Sequence, residues 1–495
     1  MIRAVLTNRR TYFRCLPSEQ LRLREFFRYF VPGAQYSEKY QSGAWDGYLY
    51  LMRRGVVSTG LFLAQRSAIE AKLGPIVIDD RRRFPKFRDT FPDVVESRIR
   101  DYQRQCVQAM IRASNTGGIV LNCTGSGKTF LAGAFLSRLV GKACFIVDEL
   151  TLLEQARHEL GQCLVGERVG IIGAGIFQPE RVTVATVQTL HKRRHSQQFQ
   201  QWCKDLQVVI FDEVHLALNR RSTDLFDTIQ PLAVYGLTAT LELDKDHIRM
   251  PAAALAGPVI YTYPIEQGVR EGYIAPGVVC QLLFPEYGFR GNYERLYYHL
   301  ISHNERRNRC IELLAREAIK RKLPTIILAE RIQHLQELSR RLADVRHELL
   351  TGQRPKDERY VAKVAMDQGQ LPLILASKIF AKGIDIRVVT VIINAGAGRS
   401  ESGAIQRYGR GTRRAAGKLG LIYVDVMDHS PVGKTDPRYN PFQVHTDSRI
   451  KAYKKLGMPV FAMVWTGDAG KVIDHAMQRL EGSSLGEYGM EASPV

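Results

Sequence analysis

The sequence predicts an α/β protein: two parallel-sheet domains in tandem, preceded by a small α+β segment. Three observations carry this. From about residue 96, short β-branched runs alternate with longer helical patterns: "GGIVLNC", "ACFIVDE", "RVTVAT", "VVIFDE" and "VYGLTAT", the signature of a parallel sheet with crossover helices. From about residue 270 a second series begins, with "PTIILAE", "LPLILAS", "TVIINAG" and "LGLIYVD". The first 93 residues lack that texture. The expected boundaries are therefore 1–93, 94–265, 266–475 and a flexible tail, 476–495.

In chain order, residues 1–95 hold 17 Lys/Arg against 9 Asp/Glu. Within them "SEQLRLREFFRYFV" has helical apolar spacing, and "WDGYLYLMRRGVVSTGLFLA" reads as short strands joined by glycine turns. The charged, proline-broken "DDRRRFPKFRDTFPD", 79 to 93, reads as a linker. The whole 495-residue chain carries a formal charge of +20, which suits a polyanionic partner, nucleic acid above all. Eight scattered cysteines form no C-x-x-C and read as reduced thiols rather than a zinc site. No signal peptide or membrane span is expected; the reading is cytoplasmic, in host cytoplasm if the chain is phage-encoded.

The chemistry begins at "LNCTGSGKTF", 121 to 130. It comes after a strand and opens a helix, as a phosphate-binding loop must. Against G-x-x-x-x-G-K-[ST], only the first glycine is missing, replaced by Asn122. Backbone N–H groups of Thr124, Gly125, Ser126 and Gly127 would face a phosphate at a helix N-terminus. Lys128 would reach the β- and γ-phosphates, and Thr129 would ligate Mg²⁺. "VVIFDEVH", 208 to 215, places Asp212 and Glu213 at a strand's carboxyl end, where ligands bind in open α/β sheets. Asp212 is a Mg²⁺ ligand candidate and Glu213 a general base for the attacking water. "GLTAT", 236 to 240, leaves the next strand with threonines able to hydrogen-bond acidic neighbours. Upstream, "RIRDYQRQCV" offers Tyr102 and Gln103; a Gln amide can pair adenine N6 and N7.

In the second half, "ILASKIFAKGIDI" presents Ser377, Gly383 and Asp385, and "GAIQRYGRGTRRAAG" carries Gln406, Arg410 and Arg413. Arg410 and Arg413 lie three apart, on one face of a helix. Guanidinium groups suit bidentate phosphate contact and stabilisation of a transferring phosphoryl group.

Taken in order, these stretches resemble the motifs of helicase superfamily 2. Tyr102–Gln103 is similar to its Q-like element, "CTGSGKT" to motif I, "IVDELTLLEQ" to Ia, and "ATVQTL" to the strand-contacting motif after it. "DEVH", "LTAT", "TIILAERIQHLQEL", "ASKIFAKGIDI" and "QRYGRGTR" are similar to motifs II to VI. "GAWDGYLYLMRRG…TGLFLA" and "HTDSRIKAYKKLG" resemble the bacteriophage UvsW-type DNA helicases, related to the XPB and RecG-like branch. The resemblance implies two RecA-like domains behind a small nucleic-acid-binding domain, ATP and Mg²⁺ as cofactors, and remodelling of branched DNA: fork regression, junction migration, R-loop unwinding and annealing. It implies nucleotide contacts from Gln103, Gly383, Asp385 and Gln406, and strand contacts from Thr186, Gln188 and Ser377. It implies DNA contacts in the first segment, where Arg9, Arg10, Arg14, Arg53 and Arg54 interleave with aromatics such as Trp45. A monomer is expected, with recombination or replication proteins as partners. Two departures stand out: Asn122 in motif I, where the superfamily often lacks the glycine, and Asp148–Glu149 in motif Ia, where a small neutral loop is usual. An RNA helicase, the motor subunit of a restriction-type complex and an ATP-dependent annealing clamp remain open alternatives.

Overall fold

The computed structural model describes residues 2–218, 220–239, 241–352, 354–377, 386–398, 408–409, 411–415, 417–455 and 459–484. The chain divides into two compact units, Met1–Asn122 with Gly127–Tyr263, and Cys123–Ser126 with Pro264–Val495.

The first unit opens on β1 (Arg3–Leu6), β2 (Arg10–Arg14), β3 (Arg28–Phe30), β4 (Tyr48–Tyr50), β5 (Val56–Ser58) and β6 (Val77–Asp80). Four of these form a small mixed sheet in the order β5-β2-β1-β6, and β3 pairs with β4 as a separate antiparallel ribbon. The helical spacing expected through residues 18–31 stops early: the helix is Pro17–Glu25, and Arg28–Phe30 is strand because Tyr48–Tyr50 offers it a partner. "GLFLA" is likewise helical. Ser58 caps the helix Thr59–Leu73 by accepting from Leu61 N at 3.4 Å, and burial of Leu61 and Phe62 fixes its inner face.

This segment is packed onto the remainder of its unit. Its core of Leu6, Phe13, Leu23, Phe27, Leu61 and Phe62 continues into Met250 and Ala253, on the helix Asp246–Leu255. Gly60 lies so close that a Cβ there would sit 2.5 Å from Ala253 O and 2.7 Å from Gly257 Cα. Asn8 ties the junction: its Nδ2 donates to Arg83 O (2.7 Å), Asn115 O (2.9 Å) and Leu232 O (3.1 Å), and its Oδ1 accepts from Arg83 N (3.0 Å). Within the span read as a linker, Phe87 bridges to Leu139 and packs against Phe135, and Arg88 N donates to Arg138 O at 2.7 Å.

The rest of the unit is one sheet of β7 (Gly117–Asn122), β8 (Lys142–Val147), β9 (Val169–Gly173), β10 (Ile176–Gln178), β11 (Val182–Thr186), β12 (Leu206–Asp212), β13 (Ala233–Thr238) and β14 (Val259–Tyr263). Its order is β10-β9-β11-β8-β12-β13-β7-β14, parallel except at β10. Alternate residues enter opposite cores. Val120, Phe145 and Ile210 face one cluster; Ile119, Ile146 and Phe211 face the other. Burial on both faces is why these strands read as unbroken apolar runs.

The second unit repeats the plan with β15 (Gly277–Pro285), β16 (Thr325–Ala329), β17 (His347–Leu350), β18 (Leu373–Ser377), β19 (Val391–Asn394), β20 (Leu421–His429) and β21 (Val460–Val464). The order is β17-β18-β16-β19-β20-β15-β21, all parallel. The chain is thus two RecA-like α/β domains behind a small α+β segment. The helix Ala469–Ser484 runs into the span expected as a tail, because Ala476 and Leu480 complete the core over this sheet; 485–495 lie outside the described residues. No helix among the described residues is long and apolar enough to cross a membrane.

Candidate active site

All strands that carry motifs in the first unit point the same way, so their carboxyl ends form one edge. β7 delivers the loop after Asn122. Gly125 (φ +86°) and Gly127 (φ +73°) take left-handed backbone there, which glycine enters without the Cβ penalty. Gly127 caps the helix Lys128–Arg138, whose first N–H groups and dipole favour an anion.

β12 ends at Asp212, and Glu213 comes next at φ +53°. Left-handed backbone at a glutamate is strained, and such strain clusters at functional positions. The turn brings the Glu213 carboxylate between two strands. Its Oε1 meets Lys128 Nζ at 3.0 Å, and its Oε2 accepts from Thr238 Oγ1 at 3.2 Å. Thr238 stands at the end of β13. His215 Nδ1 closes the cluster, 3.0 Å from Thr238 Oγ1 and 3.4 Å from Glu213 Oε2. Pattern reading gives Lys128 and Glu213 as separate roles and assigns none to His215; its only sequence signal is the last letter of "DEVH".

Burial, then the adjacent Glu213 charge, pushes the Asp212 carboxyl up to about 6. Burial acts on Glu213 in the same sense, but the Lys128 and His215 charges with the Lys128 and Thr238 hydrogen bonds outweigh it, and Glu213 is held below the usual range. Among the described residues, buried polar atoms at the ends of β7 and β12 are left without hydrogen-bond partners: Asn122 Oδ1 and Nδ2, and Asp212 Oδ1. Desolvated and unpaired, each such atom costs about 1–3 kcal/mol. A buried carboxylate oxygen lacking a donor, beside a glycine loop at a helix N-terminus, fits a divalent cation with a polyphosphate. Asn122 is fully buried at the end of β7, so the departure from the loop pattern lies in the strand, not in the turn.

One strand over from β12, β8 leads into Asp148 and Glu149, and β11 leads into Thr186. Thr186 caps the helix Val187–Arg193, and Gln188 Nε2 donates to Asp148 O at 3.2 Å. A pocket lined by Asp148, Gln188, Asp212, Glu213 and Ser222 lies between the two groups.

The other expected residues of this unit divide between nucleotide-side and N-terminal positions. Gln103 Oε1 accepts from Arg100 N at 3.1 Å, capping its own helix, and its Nε2 lies 3.1 Å from where a Cβ of Gly127 would stand. Tyr102 is buried, its ring stacked on Tyr263 at 3.9 Å. Thr129 is half-buried in the first turn of its helix. Arg9 donates to Leu255 O at 2.7 Å and so serves the packing of the N-terminal segment. Trp45 is half-buried and donates from Nε1 to Tyr48 O at 2.9 Å. Arg10 is half-buried on β2, while Arg14, Arg53 and Arg54 are exposed.

In the second unit Ser377 ends β18, buried, with a hydroxyl that has no hydrogen-bond partner among the described residues. Half-buried Arg413 comes after Thr412, whose carbonyl accepts from Ala275 N at 2.7 Å just before β15 begins. The residues around Arg413 therefore lie at the amino edge of that sheet and Ser377 at its carboxyl edge. Gly383, Asp385, Gln406, Arg410 and Thr240 lie outside the described residues.

A model of the type III restriction enzyme res subunit matches residues 96–243, and one of the helicase conserved C-terminal domain matches residues 305–415. A putative DNA 3'-5' helicase Rad25 of Halobacterium salinarum is 27% identical over 339 residues, covering 66% of this chain and 54% of the relative. The chain thus spans about half the length of that protein. The DNA 3'-5' translocase XPB2 of Sulfurisphaera tokodaii is 24% identical over 385 residues, 70% of this chain and 84% of the relative. The crystal structure of T4 UvsW aligns along 94% of this chain and 99% of its own at 17% identity, with a TM-score of 0.45.

Proposed function

We propose that the chain, in which a match to the type III restriction enzyme res subunit is followed by a match to the helicase conserved C-terminal domain, is an ATP-driven DNA motor of helicase superfamily 2 that remodels branched DNA. The observation that carries the reading is the cluster of Lys128, Glu213, Thr238 and His215 at the sheet edge beside the glycine loop.

In this reading the N–H groups of Thr124–Gly127 and the Lys128 ammonium bind the phosphates. Thr129 and Asp212 would hold Mg²⁺, which would supply charge neutralisation for the phosphates. Glu213 orients the attacking water and takes its proton. Thr238 and His215 fix which Glu213 oxygen faces Lys128. Arg410 and Arg413 stabilise charge on the transferring phosphoryl group, a contribution of roughly 10³–10⁵ in rate. Strand contacts come from Thr186, Gln188 and Ser377, and duplex contacts from Arg14, Arg53 and Arg54. Contacts of this kind address phosphates and carry little sequence information, so preference depends on DNA structure. DNA rather than RNA is supported by the two archaeal relatives, whose names specify DNA.

The test is steady-state ATP hydrolysis alone and with single-stranded DNA, a DNA fork, or single-stranded RNA, with Lys128→Ala as control. Stimulation is expected to be strongest with the fork and absent in the variant. Stimulation by RNA alone would overturn the DNA assignment. The match of residues 96–243 to a restriction enzyme subunit favours a second reading, the motor of a restriction-type complex. It requires hydrolysis that stays silent with every nucleic acid until a partner subunit is added.

A further inference from the structure

The stretch between β15 and the helix Glu305–Lys320 has no part in the motor chemistry, yet it is unusually aromatic: "EYGFRGNYERLYYHLISHN", 286 to 304. It is firmly anchored. Leu296, Tyr297, Leu300 and Ile301 are buried in a small core with Ala397 and Phe442. Its other rings face outward. Tyr298 is 46% exposed, and His299 and His303 are exposed beside it.

The backbone explains how these rings meet. Tyr298–Ser302 is a π-helical turn, and His303 N donates to Tyr298 O at 2.8 Å, a five-residue step. Such turns are uncommon and concentrate at functional sites. The step lays the His303 ring on the Tyr298 ring, with centroids 3.8 Å apart and planes 16° from parallel. Tyr298 also contacts His299 edge-on at 5.0 Å, and His299 contacts Phe289 at 5.7 Å. The four rings form a continuous ladder, exposed at Tyr298, His299 and His303 and half-buried at Phe289, which packs against the small core. At its end the Arg295 guanidinium lies 5.8 Å over Phe289.

Charge indicates what the ladder fits. Neighbouring acids are already engaged: Glu286 with Arg306 and Asn304, Glu294 with Arg331. Arg290 and Arg295 are exposed, and among the described residues neither is in an ion pair. Exposed rings beside guanidiniums outside any ion pair of the described residues match bases stacked along a phosphate backbone. Position agrees. β15 ends at Pro285, directly before this stretch, and β18 ends at Ser377; the strands are parallel, so both lie at the carboxyl edge of one sheet.

We propose that Phe289, Tyr298, His299 and His303, flanked by Arg290 and Arg295, form a stacking platform for an unpaired DNA strand on the second motor domain. The proposal rests on the DNA-motor reading and adds a strand-binding site outside the motifs.

The experiment uses the full chain, fluorescein-labelled (dT)20 and a blunt duplex of equal length. Anisotropy gives affinity, and ATP hydrolysis gives the (dT)20 concentration for half-maximal stimulation. Tyr298→Ala is expected to raise both the dissociation constant and that concentration at least fivefold, since stacking contributes at this level per base. Tyr298→Phe keeps the ring and should stay within twofold of wild type. The rate at saturating (dT)20 and the melting temperature should not change, because the side chain is exposed and outside the motor site. Duplex affinity should move less than twofold. Arg290→Gln with Arg295→Gln should lower the slope of log affinity against log salt by about 1.4, at about 0.7 per lost phosphate contact. Wild-type stimulation with unchanged (dT)20 affinity in Tyr298→Ala would overturn the platform and leave the motor standing. A wild type that neither binds nor responds to any DNA would overturn both.

Discussion

Glu213→Gln separates nucleotide binding from hydrolysis. In the structure Lys128 is committed to Glu213 at 3.0 Å, with side-chain exposures of 12% and 24%. For Lys128 to serve a γ-phosphate this pair must loosen. A hydrogen bond to a charged group contributes about 1.5–3 kcal/mol net. Partial exposure and the retained Gln oxygen reduce the loss on substitution to about 1 kcal/mol, roughly a fivefold change in an equilibrium constant. The amide also releases the negative charge that competes with the phosphates for Lys128. The dissociation constant of a slowly hydrolysed ATP analogue should therefore fall roughly three- to tenfold, in line with that energy. Because Gln cannot take a proton, kcat should drop by about 10²–10⁴. Calorimetric titration with the analogue measures the first, and steady-state phosphate release with DNA the second. Weaker analogue binding in Glu213→Gln, or a kcat within tenfold of wild type, would refute the assignment of Glu213 as both base and competitor for Lys128.

The packing sets three further outcomes. Asn8→Ala removes donors to two part-buried carbonyls and should cost about 2 kcal/mol at about 1 per bond; Asn8→Asp, which aims a carboxylate at the same oxygens, should be worse, and an Asp variant melting above the Ala variant would contradict this. Gly60→Ala forces a methyl against Ala253 O and Gly257 Cα and should cost about 1–3 kcal/mol; an unchanged melting temperature would mean that the helix pair yields. His334, buried and bonded to Asn308, has its pKa lowered to about 3, chiefly by burial. Between that value and its ordinary 6.5 the unfolded chain binds the proton and the folded chain does not, so stability is full above pH 6.5 and falls as pH drops, by ~1.4 kcal/mol per unit. His334→Gln should flatten that part of the denaturation profile, and an equal slope in wild type and variant between about pH 5 and 7 would rule the account out.

The two sheets were legible where strands are buried on both faces. Apolar runs pick out β7, β8, β11, β12 and β13 in the first sheet, and β16, β18, β19 and β20 in the second. They pass over β9, β10 and β14, and β17 and β21, all toward the sheet margins. A margin strand such as Ile176–Gln178 is partly exposed and carries no continuous apolar signal. β15 is an exception: "GVVCQLLFP" is apolar enough to be read, with only Gln281 interrupting. The glycine turn before its helix and the acid pair at a strand end could be placed because their sequence patterns are local. The Lys128–Glu213 pair and the part of His215 could not, since they depend on Glu213 taking a left-handed backbone 85 residues downstream. The close junction of the N-terminal segment was equally hidden. Its closest approaches are made by a glycine, an alanine and one asparagine, residue types that announce no interface.

In the proposed reading the second sheet keeps its phosphate-side and strand-side roles on opposite edges, with stiff strands between them. Pairing through β16 and β19 sets Ser377 level with Val426 of β20, so the span from Leu421 to that level is about 17 Å at 3.3 Å per residue. If the domain rocks about the middle of that span, the Arg413 edge and the Ser377 edge travel equal distances in opposite directions. A rotation of roughly 24° moves each by about 3.4 Å, the axial spacing of one nucleotide in a strand. A see-saw of this length needs no long-range rearrangement to convert phosphate-side closure into a single-base advance. Its gain is set by how many residues that span contains.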